Sequence, residues 1–164
     1  MTTGAGAFLL ELVNQTMGIQ KTEHDSISGA MNHSGRARVL IVEDNAPLRK
    51  LMADILKFEG YTVSEAFDAS SMRQRIYAKR PERNEGEIFD LIITDIQMPG
   101  ENGIASLATL RRAGCSIPAV IVTAFPELAT RERANELQAT LLAKPFSMAE
   151  LRSVAATVLR FGRA

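Results

Sequence analysis

Two apolar runs of the chain lead directly into carboxylates. Val39–Val42 is followed by Glu43 and Asp44, and Leu91–Ile93 is followed by a threonine and then by Asp95. A short apolar run bounded by turn residues is typical of a buried parallel strand, so these acidic side chains fall where strands end. An ionised carboxylate at such a place needs water, a cation or hydrogen-bond donors, because burying it unpaired is very unfavourable. The acidic residues are therefore candidate cation ligands, or else caps of the segments that follow them.

Two further apolar runs end in a hydroxyl and an amine. Pro118–Val122 leads to Thr123, and Thr140–Ala143 leads to Lys144. Taken singly, each has an ordinary explanation, since threonine is common in strands and lysine is common at the surface. Five polar side chains at the ends of apolar strands are harder to explain in this way when they are considered together.

If the strands that end at Glu43, Asp44 and Asp95 are neighbours, three carboxylates meet in one crevice. Like charges that close together repel strongly, and a bound divalent cation removes the repulsion. A few oxygen ligands with room for water suit Mg²⁺ better than Ca²⁺ or Zn²⁺. A metal beside a carboxylate, Thr123 and Lys144 predicts phosphoryl transfer, in which a carboxylate can act as nucleophile and form an aspartyl-phosphate.

A regular framework must position these side chains, and the apolar pattern predicts one. Predicted strands lie at 39–42, 61–63, 90–94, 118–122 and 140–143, and predicted helices follow Asn45, Asp68, Gly103, Pro126 and Ser147. This alternation predicts an α/β fold with a parallel sheet and helices on both faces. The working crevice of such a sheet lies beyond the carboxyl ends of the strands, at the point where the winding reverses. The stretch 80–86 is charged and contains proline and glycine, and we expect a solvated loop there.

Composition limits the class of protein. The chain has 164 residues, of which 46% are apolar and 23% are charged, which is typical of one globular domain with a small appendage. Lys plus Arg equals Asp plus Glu at 19 each, so we expect no nucleic-acid partner. The single cysteine, Cys115, excludes an internal disulfide and favours a reduced, cytoplasmic setting. No segment approaches the length of a membrane span, and we expect no membrane association.

Residues 1–35 differ in character from the remainder. An apolar cluster around Phe8–Met17 could form a short amphipathic helix, and a polar stretch of small residues follows it. Because short isolated helices are marginal in water, a docking helix and a flexible extension both stay open. We therefore expect an N-terminal extension over 1–35 and a folded domain over 36–164.

Four motifs together resemble the receiver domain of two-component response regulators. They are VLIVEDN at 39–45, DLIITDIQMPG at 90–100, VIVTA at 120–124 and AKPF at 143–146. The resemblance covers about Arg36–Arg160, and all the motifs occur in the order of the family. Single-domain receivers similar to the chemotaxis regulator are the most similar type. The resemblance implies a flavodoxin-like, doubly wound, five-stranded parallel sheet with strand order 2-1-3-4-5.

The resemblance also assigns roles to the acidic residues. Asp95 matches the phosphoacceptor, which takes a phosphoryl group from a histidine of a histidine kinase or a histidine phosphotransfer protein. Asp44 matches the direct Mg²⁺ ligand, and Glu43 matches the second acidic position, which acts partly through water. The backbone carbonyl of Gln97 matches a further metal ligand.

The remaining motif residues match the parts of the family that respond to phosphorylation. Thr123 matches the hydroxyl that moves toward the phosphoryl group, and Lys144 matches the family lysine, whose bond to the following proline is usually cis. The family often has an aromatic residue three positions before that lysine, and Leu141 excludes an aromatic rotamer switch here. Gln97 and Phe125 occupy positions that resemble those setting the lifetime of the phosphorylated form. Our hypothesis is that Phe125 shields the site from water.

The resemblance implies a phosphorylatable signalling switch or phosphorelay intermediate, with no enzymatic turnover beyond its own phosphorylation and dephosphorylation. No output domain follows the predicted fifth helix in this sequence. We therefore expect output through an unidentified downstream protein or through onward phosphotransfer. Many receivers pair through the face of the fourth and fifth helices, and the choice between a monomer and a homodimer stays open.

Three other interpretations compete with a phosphorylatable receiver. A Mg²⁺-dependent phosphatase of the haloacid-dehalogenase type needs a second aspartate where Gln97 stands, and a flavin-binding module needs a phosphate loop where Glu43 and Asp44 would repel phosphate. A receiver-like scaffold that acts without phosphorylation is the main alternative. The acidic trio, Thr123 and Lys144 argue against a scaffold, whereas the missing aromatic residue argues for one.

Overall fold

The computed structural model describes residues 36–80, 83–86 and 89–162. The predicted extension over 1–35, with its candidate helix, lies outside these residues. None of the helices in the described part combines the length and apolar character that a membrane span requires.

Strands and helices alternate along the described chain. In order they are β1 (Arg38–Val42), α1 (Ala46–Phe58), β2 (Thr62–Ala66), α2 (Ala69–Tyr77), β3 (Lys79–Arg80), β4 (Arg83–Gly86), β5 (Leu91–Asp95), α3 (Gly103–Arg112), β6 (Ala119–Thr123), α4 (Leu128–Glu136), β7 (Ala139–Ala143) and α5 (Met148–Phe161). Five strands form one sheet in the order β2-β1-β5-β6-β7, and neighbouring strands of this sheet are parallel. Numbered within that sheet alone, this is the predicted order 2-1-3-4-5, and the flavodoxin-like, doubly wound fold is confirmed.

The strands β3 and β4 correct the prediction of a loop over 80–86. They pair antiparallel outside the main sheet, with Lys79 opposite Gly86 and Arg80 opposite Arg83. The segment has no apolar alternation, and alternation is the signal by which a half-buried strand is found in a sequence. Backbone hydrogen bonding between strands does not require that alternation, so the sequence pattern missed this strand pair.

One apolar layer covers the sheet on the side of α1 and α5. Val39 and Ile41 of β1 point into it and pack in the same cluster as Met52 of α1 and Leu151 of α5. These side chains are fully buried, and their burial ties the first and last helices to β1, an inner strand of the sheet.

A second apolar layer covers the opposite face. Leu40 of β1 and Ile92 of β5 alternate with the residues of the first layer and pack in a cluster with Met72 of α2 and Leu107 of α3. Ala134 is the buried residue of the polar helix α4, which also packs on this face. Because central strands are covered on both faces, every residue of β5 and β6 is buried, as continuous apolar runs predict.

Side-chain caps fix the starts of four of the five helices in the described part of the chain. Asn45 accepts a hydrogen bond from the N–H of the third helical residue of α1, and Asn102 caps α3 in a similar way. Asp68 and Ser147 form reciprocal capping boxes at α2 and α5. The caps satisfy N–H groups that would otherwise lack partners, so the turns beside the carboxyl ends of the strands are well defined.

Candidate functional site

The carboxyl ends of β5, β6 and β7 are level with one another. Asp95, the last residue of β5, pairs with Val122 of β6. The next residue, Thr123, ends β6 and pairs with Ala143, the last residue of β7. Residues that end these strands or follow them directly are therefore brought to one edge of the sheet, next to β1.

Glu43, Asp44 and Asp95 form an acidic cluster at this edge. Each offers one carboxylate oxygen, and these oxygens all lie within 4.8 Å of one another. Glu43 and Asp95 are only 2% and 6% exposed, whereas Asp44 faces solvent. An all-oxygen donor set that is open on one side leaves room for coordinated water, which is the arrangement that a hard cation such as Mg²⁺ prefers.

Lys144 lies between the two buried carboxylates. Its Nζ is 3.0 Å from Oε2 of Glu43 and 3.3 Å from Oδ2 of Asp95. The backbone N–H of Lys144 donates to the carbonyl of Thr123 at 2.6 Å, which fixes the start of the segment after β7. The following peptide bond, to Pro145, is cis, as the resemblance implied. The ammonium group thus neutralises part of the charge that the cluster buries.

The ionisation of Glu43 and Lys144 reflects this arrangement. Burial raises the pKa of Glu43; the hydrogen bond from Lys144 opposes this shift, and repulsion by Asp95 adds to it. Partial burial alone would lower the pKa of Lys144, but the hydrogen bond to Glu43 and the attraction of Asp95 outweigh it, so the pKa is raised. A cation beside Glu43 would favour the charged form of this carboxyl, which burial disfavours.

The Thr123 hydroxyl is buried at the same edge, but its hydrogen bond is made within its own loop. Its Oγ1 accepts the backbone N–H of Phe125 at 3.0 Å. The ring of Phe125 is 54% exposed beside this turn. Gln97 lies two residues beyond the end of β5, and its side chain is exposed. A threonine hydroxyl that accepts one hydrogen bond still has its own proton to donate.

A second ion pair holds the loop that follows Asp95. Arg73 of α2 places Nη1 2.5 Å from Oε2 of Glu101, which lies between β5 and α3. The hydrogen bond from Arg73 is the main reason that the pKa of Glu101 is lowered. This pair connects the loop that contains Gln97 to α2.

Two constraints on the site were missed from the sequence. The guanidinium of Arg49 donates to the backbone carbonyl of Glu43 at 2.7 Å. At Gly103, a Cβ atom would lie 2.0 Å from the carbonyl oxygen of Asp95, so only glycine fits. An arginine six residues after an acidic strand end, and a glycine at the start of a helix, are the sequence signals that could have drawn attention to them.

The fold and the acidic edge together define a class of protein. A five-stranded 2-1-3-4-5 sheet with a cluster of carboxylates and a lysine at its carboxyl edge is the architecture expected of receiver domains. Residues 39–156 match the family model described as the response regulator receiver domain. The chain belongs to this family of two-component signalling domains, and the resemblance inferred from its motifs is confirmed.

Individual relatives agree with this assignment. The chain is 31% identical over 116 residues to sporulation initiation phosphotransferase F of Bacillus subtilis, covering 70% of this chain and 87% of that protein. It is 33% identical over 129 residues to the alkaline phosphatase synthesis transcriptional regulatory protein of Synechococcus elongatus, covering 77% of this chain and 50% of that protein. The chain thus spans about half the length of several transcriptional regulatory relatives that it matches.

Solved receiver structures match over nearly their whole length. The HemR receiver domain from Leptospira biflexa is 27% identical with a TM-score of 0.68, covering 79% of this chain and 98% of that one. A Vibrio cholerae chemotaxis protein is 25% identical with a TM-score of 0.65, covering 76% of this chain and 99% of that one.

Proposed function

We propose that this protein is a phosphoacceptor receiver in which Asp95 takes a phosphoryl group from a phosphohistidine. The donor is a histidine kinase or a histidine phosphotransfer protein, and Mg²⁺ is held by Glu43, Asp44, Asp95 and the backbone carbonyl of Gln97. The observation that carries the proposal is the convergence of three carboxylates and Lys144 at the carboxyl edge of the sheet.

In the proposed reaction a carboxylate oxygen of Asp95 bonds to phosphorus while the bond from phosphorus to the histidine nitrogen breaks. The imidazole leaves with the electron pair of that bond, and an acyl phosphate remains on Asp95. A bound Mg²⁺ would offset the negative charge on the phosphoryl oxygens. Lys144, already 3.3 Å from Asp95, is placed to pair with one of those oxygens in addition.

Thr123 is proposed to couple phosphorylation of Asp95 to a change in conformation. Its hydroxyl accepts the N–H of Phe125 and retains a proton that it can donate to a phosphoryl oxygen. Movement of Thr123 toward that oxygen would carry the turn at Phe125 with it. Phosphorylation then biases two conformations of the surface near α4, which changes binding to a downstream protein or permits onward phosphotransfer.

We further propose that residues 1–35 are an extension, that residues 36–164 form the receiver, and that the protein acts in the cytoplasm. We expect no turnover of an external substrate, because the expected chemistry is self-phosphorylation and self-dephosphorylation. Pairing of two copies is left to measurement of the oligomeric state with and without phosphorylation.

Intact mass after incubation with an acyl phosphate and Mg²⁺ tests the proposal. We expect one added phosphoryl group on the wild type, and none without Mg²⁺ or in Asp95→Asn. Asp54→Asn is the matched control, since Asp54 is an exposed carboxylate that pairs with Lys50 on α1. A phosphoryl group on Asp95→Asn would overturn the assignment of the acceptor. No adduct on the wild type, together with no binding of a stable phosphoryl mimic, would favour the scaffold alternative.

A further inference from the structure

Arg49 of α1 reaches back under the loop that carries two of the acidic residues. Its side chain is 17% exposed, and its Nη1 donates to the carbonyl of Glu43 at 2.7 Å and lies 3.4 Å from the carbonyl of Asp44. One guanidinium nitrogen therefore contacts two consecutive carbonyls between β1 and α1. These contacts constrain the backbone from which both carboxylates project.

Two N–H groups of the same loop, those of Glu43 and Asn45, are paired elsewhere. Glu43 donates its N–H to the carbonyl of Ala66 at 3.2 Å, and Asn45 donates its N–H to Oε1 of Glu43 at 3.2 Å. The guanidinium of Arg49 is the donor to the carbonyls of Glu43 and Asp44. Loss of this arginine would leave the carbonyls to water.

Glu65 fixes the arginine from the neighbouring strand. Its Oε2 lies 3.4 Å from Nε of Arg49, and its Oε1 lies 3.6 Å from Nζ of Lys57. Glu65 is on β2, where it pairs with Ile41 of β1. The guanidinium is therefore held at Nε by a strand and uses its other end to hold the acidic loop, an arrangement that suits the rigid fork of arginine and not the single ammonium of lysine.

Of the two acidic residues in this loop, Asp44 depends more on the backbone for the position of its carboxylate. In the part of the chain that the structure describes, its carboxylate is exposed and has no hydrogen bond of its own, whereas the Glu43 carboxylate is fixed by Lys144. A metal ligand without such support is aimed only by the backbone that carries it. Outer contacts that orient metal ligands commonly change metal affinity by about 10-fold to 100-fold.

We propose that Arg49, held by Glu65, is a positioning residue that sets the Mg²⁺ affinity of the acidic cluster. This inference rests on the metal site in the proposed function. Simple electrostatics and a positioning role predict opposite changes in Mg²⁺ affinity. Removing a positive charge beside an acidic cluster should strengthen cation binding. Removing a positioning residue should weaken it.

Titration calorimetry with Mg²⁺ alone, on the full chain, separates the two effects. We expect Arg49→Met to bind Mg²⁺ about 10-fold more weakly than the wild type. Arg49→Lys, which keeps the charge but loses the fork, should also bind more weakly. Arg152→Met is the matched control, because Arg152 pairs with Glu59 between α5 and α1 and contacts no residue of the acidic loop; its Mg²⁺ affinity should be unchanged.

A double-mutant cycle tests whether Glu65 acts through the arginine. Glu65→Gln should weaken Mg²⁺ binding in the wild type but not further in Arg49→Met, because coupled residues are non-additive. Amide hydrogen exchange at Asp44 and Asn45 without metal should be faster in Arg49→Met and unchanged in Arg152→Met. This second measurement reports the loop itself and does not depend on metal or phosphorylation.

The outcomes distinguish the failure of this inference from that of the metal site. If the wild type binds Mg²⁺ and Arg49→Met binds it equally or more tightly, the positioning role is overturned while the metal site stands. If the wild type binds no Mg²⁺, both are overturned. Unchanged stability to urea in Arg49→Lys, together with weaker Mg²⁺ binding, would show that the effect is not general unfolding.

Discussion

The ammonium of Lys144 lies 3.0 Å from the carboxylate of Glu43, a residue 101 positions away in the sequence. The same nitrogen is 3.3 Å from Asp95. The lysine is thus an internal counter-ion of two buried acids, and a divalent cation would share this role.

We therefore expect Lys144→Met to destabilise the metal-free fold by about 2 kcal/mol, because a buried carboxylate loses its charged partner. Addition of Mg²⁺ should recover more stability in this variant than in the wild type. Urea denaturation with and without Mg²⁺ measures both quantities. Lys50→Met is the control, since Lys50 forms an exposed pair with Asp54 and should change stability by less than about 0.5 kcal/mol. Equal losses in the two variants would contradict the counter-ion role.

The close packing of Gly103, the first residue of α3, against the end of β5 leads to a second prediction. An alanine Cβ at Gly103 would meet the carbonyl oxygen of Asp95 at 2.0 Å and Oγ1 of Thr94 at 2.9 Å. We expect Gly103→Ala to cost about 3 kcal/mol and to impair phosphorylation, because the backbone of Asp95 must move. Gly60→Ala is the control: Gly60 has φ of +92° and open space around its Cβ position, so only the backbone strain of about 1 kcal/mol applies. Thermal unfolding and the mass assay check the pair, and full phosphorylation of Gly103→Ala would contradict the packing argument.

The capping box at α2 gives a pH-dependent prediction. Asp68 accepts the backbone N–H of Ser71 at 2.6 Å, and this bond is the main reason that its pKa lies below the ordinary value of 3.8. The stability that depends on its charge is therefore present above pH 3.8 and is lost as the pH falls through the lowered pKa.

Two variants separate the cap of Asp68 from its charge. Asp68→Ala should lose about 1 kcal/mol at neutral pH, whereas Asp68→Asn should lose less because asparagine also caps helices. Urea denaturation above and below pH 3.8 checks the sign: the advantage of the wild type over Asp68→Asn should shrink in acid. A growing advantage in acid would be the wrong sign for a lowered pKa.

The exposed ring of Phe125, beside the Thr123 turn, leads to a prediction about the lifetime of the phosphorylated form. If Phe125 shields the acyl phosphate from water, Phe125→Ala should shorten the lifetime of the phosphorylated form several-fold. The decay of the phosphorylated mass after removal of the donor measures it. Phe58→Ala is the control, because Phe58 is 76% exposed at the far end of α1. An unchanged lifetime in Phe125→Ala would remove the shielding hypothesis.

Much of the fold could be predicted because its strands are covered on both faces. Continuous apolar runs such as 91–93 and 119–122 have one stable environment, the centre of a sheet between helices. The predicted bounds of β5 and β6 agree with those in the structure to within one residue. At the edge, β2 extends to Ala66 although only 61–63 was predicted, since polar Ser64 and Glu65 carry no apolar signal.

By itself the sequence determined the type of fold and the residues at the carboxyl ends of its strands, since these depend on local periodicity and on turns within a few positions. Tertiary structure alone decided which of those residues touch. The distance from Lys144 to Glu43, the reach of Arg49 to the acidic loop and the close approach of Gly103 to Asp95 each depend on how separate elements pack. Such contacts are set by side-chain reach and by backbone approach across the crevice, and no spacing along the chain records them.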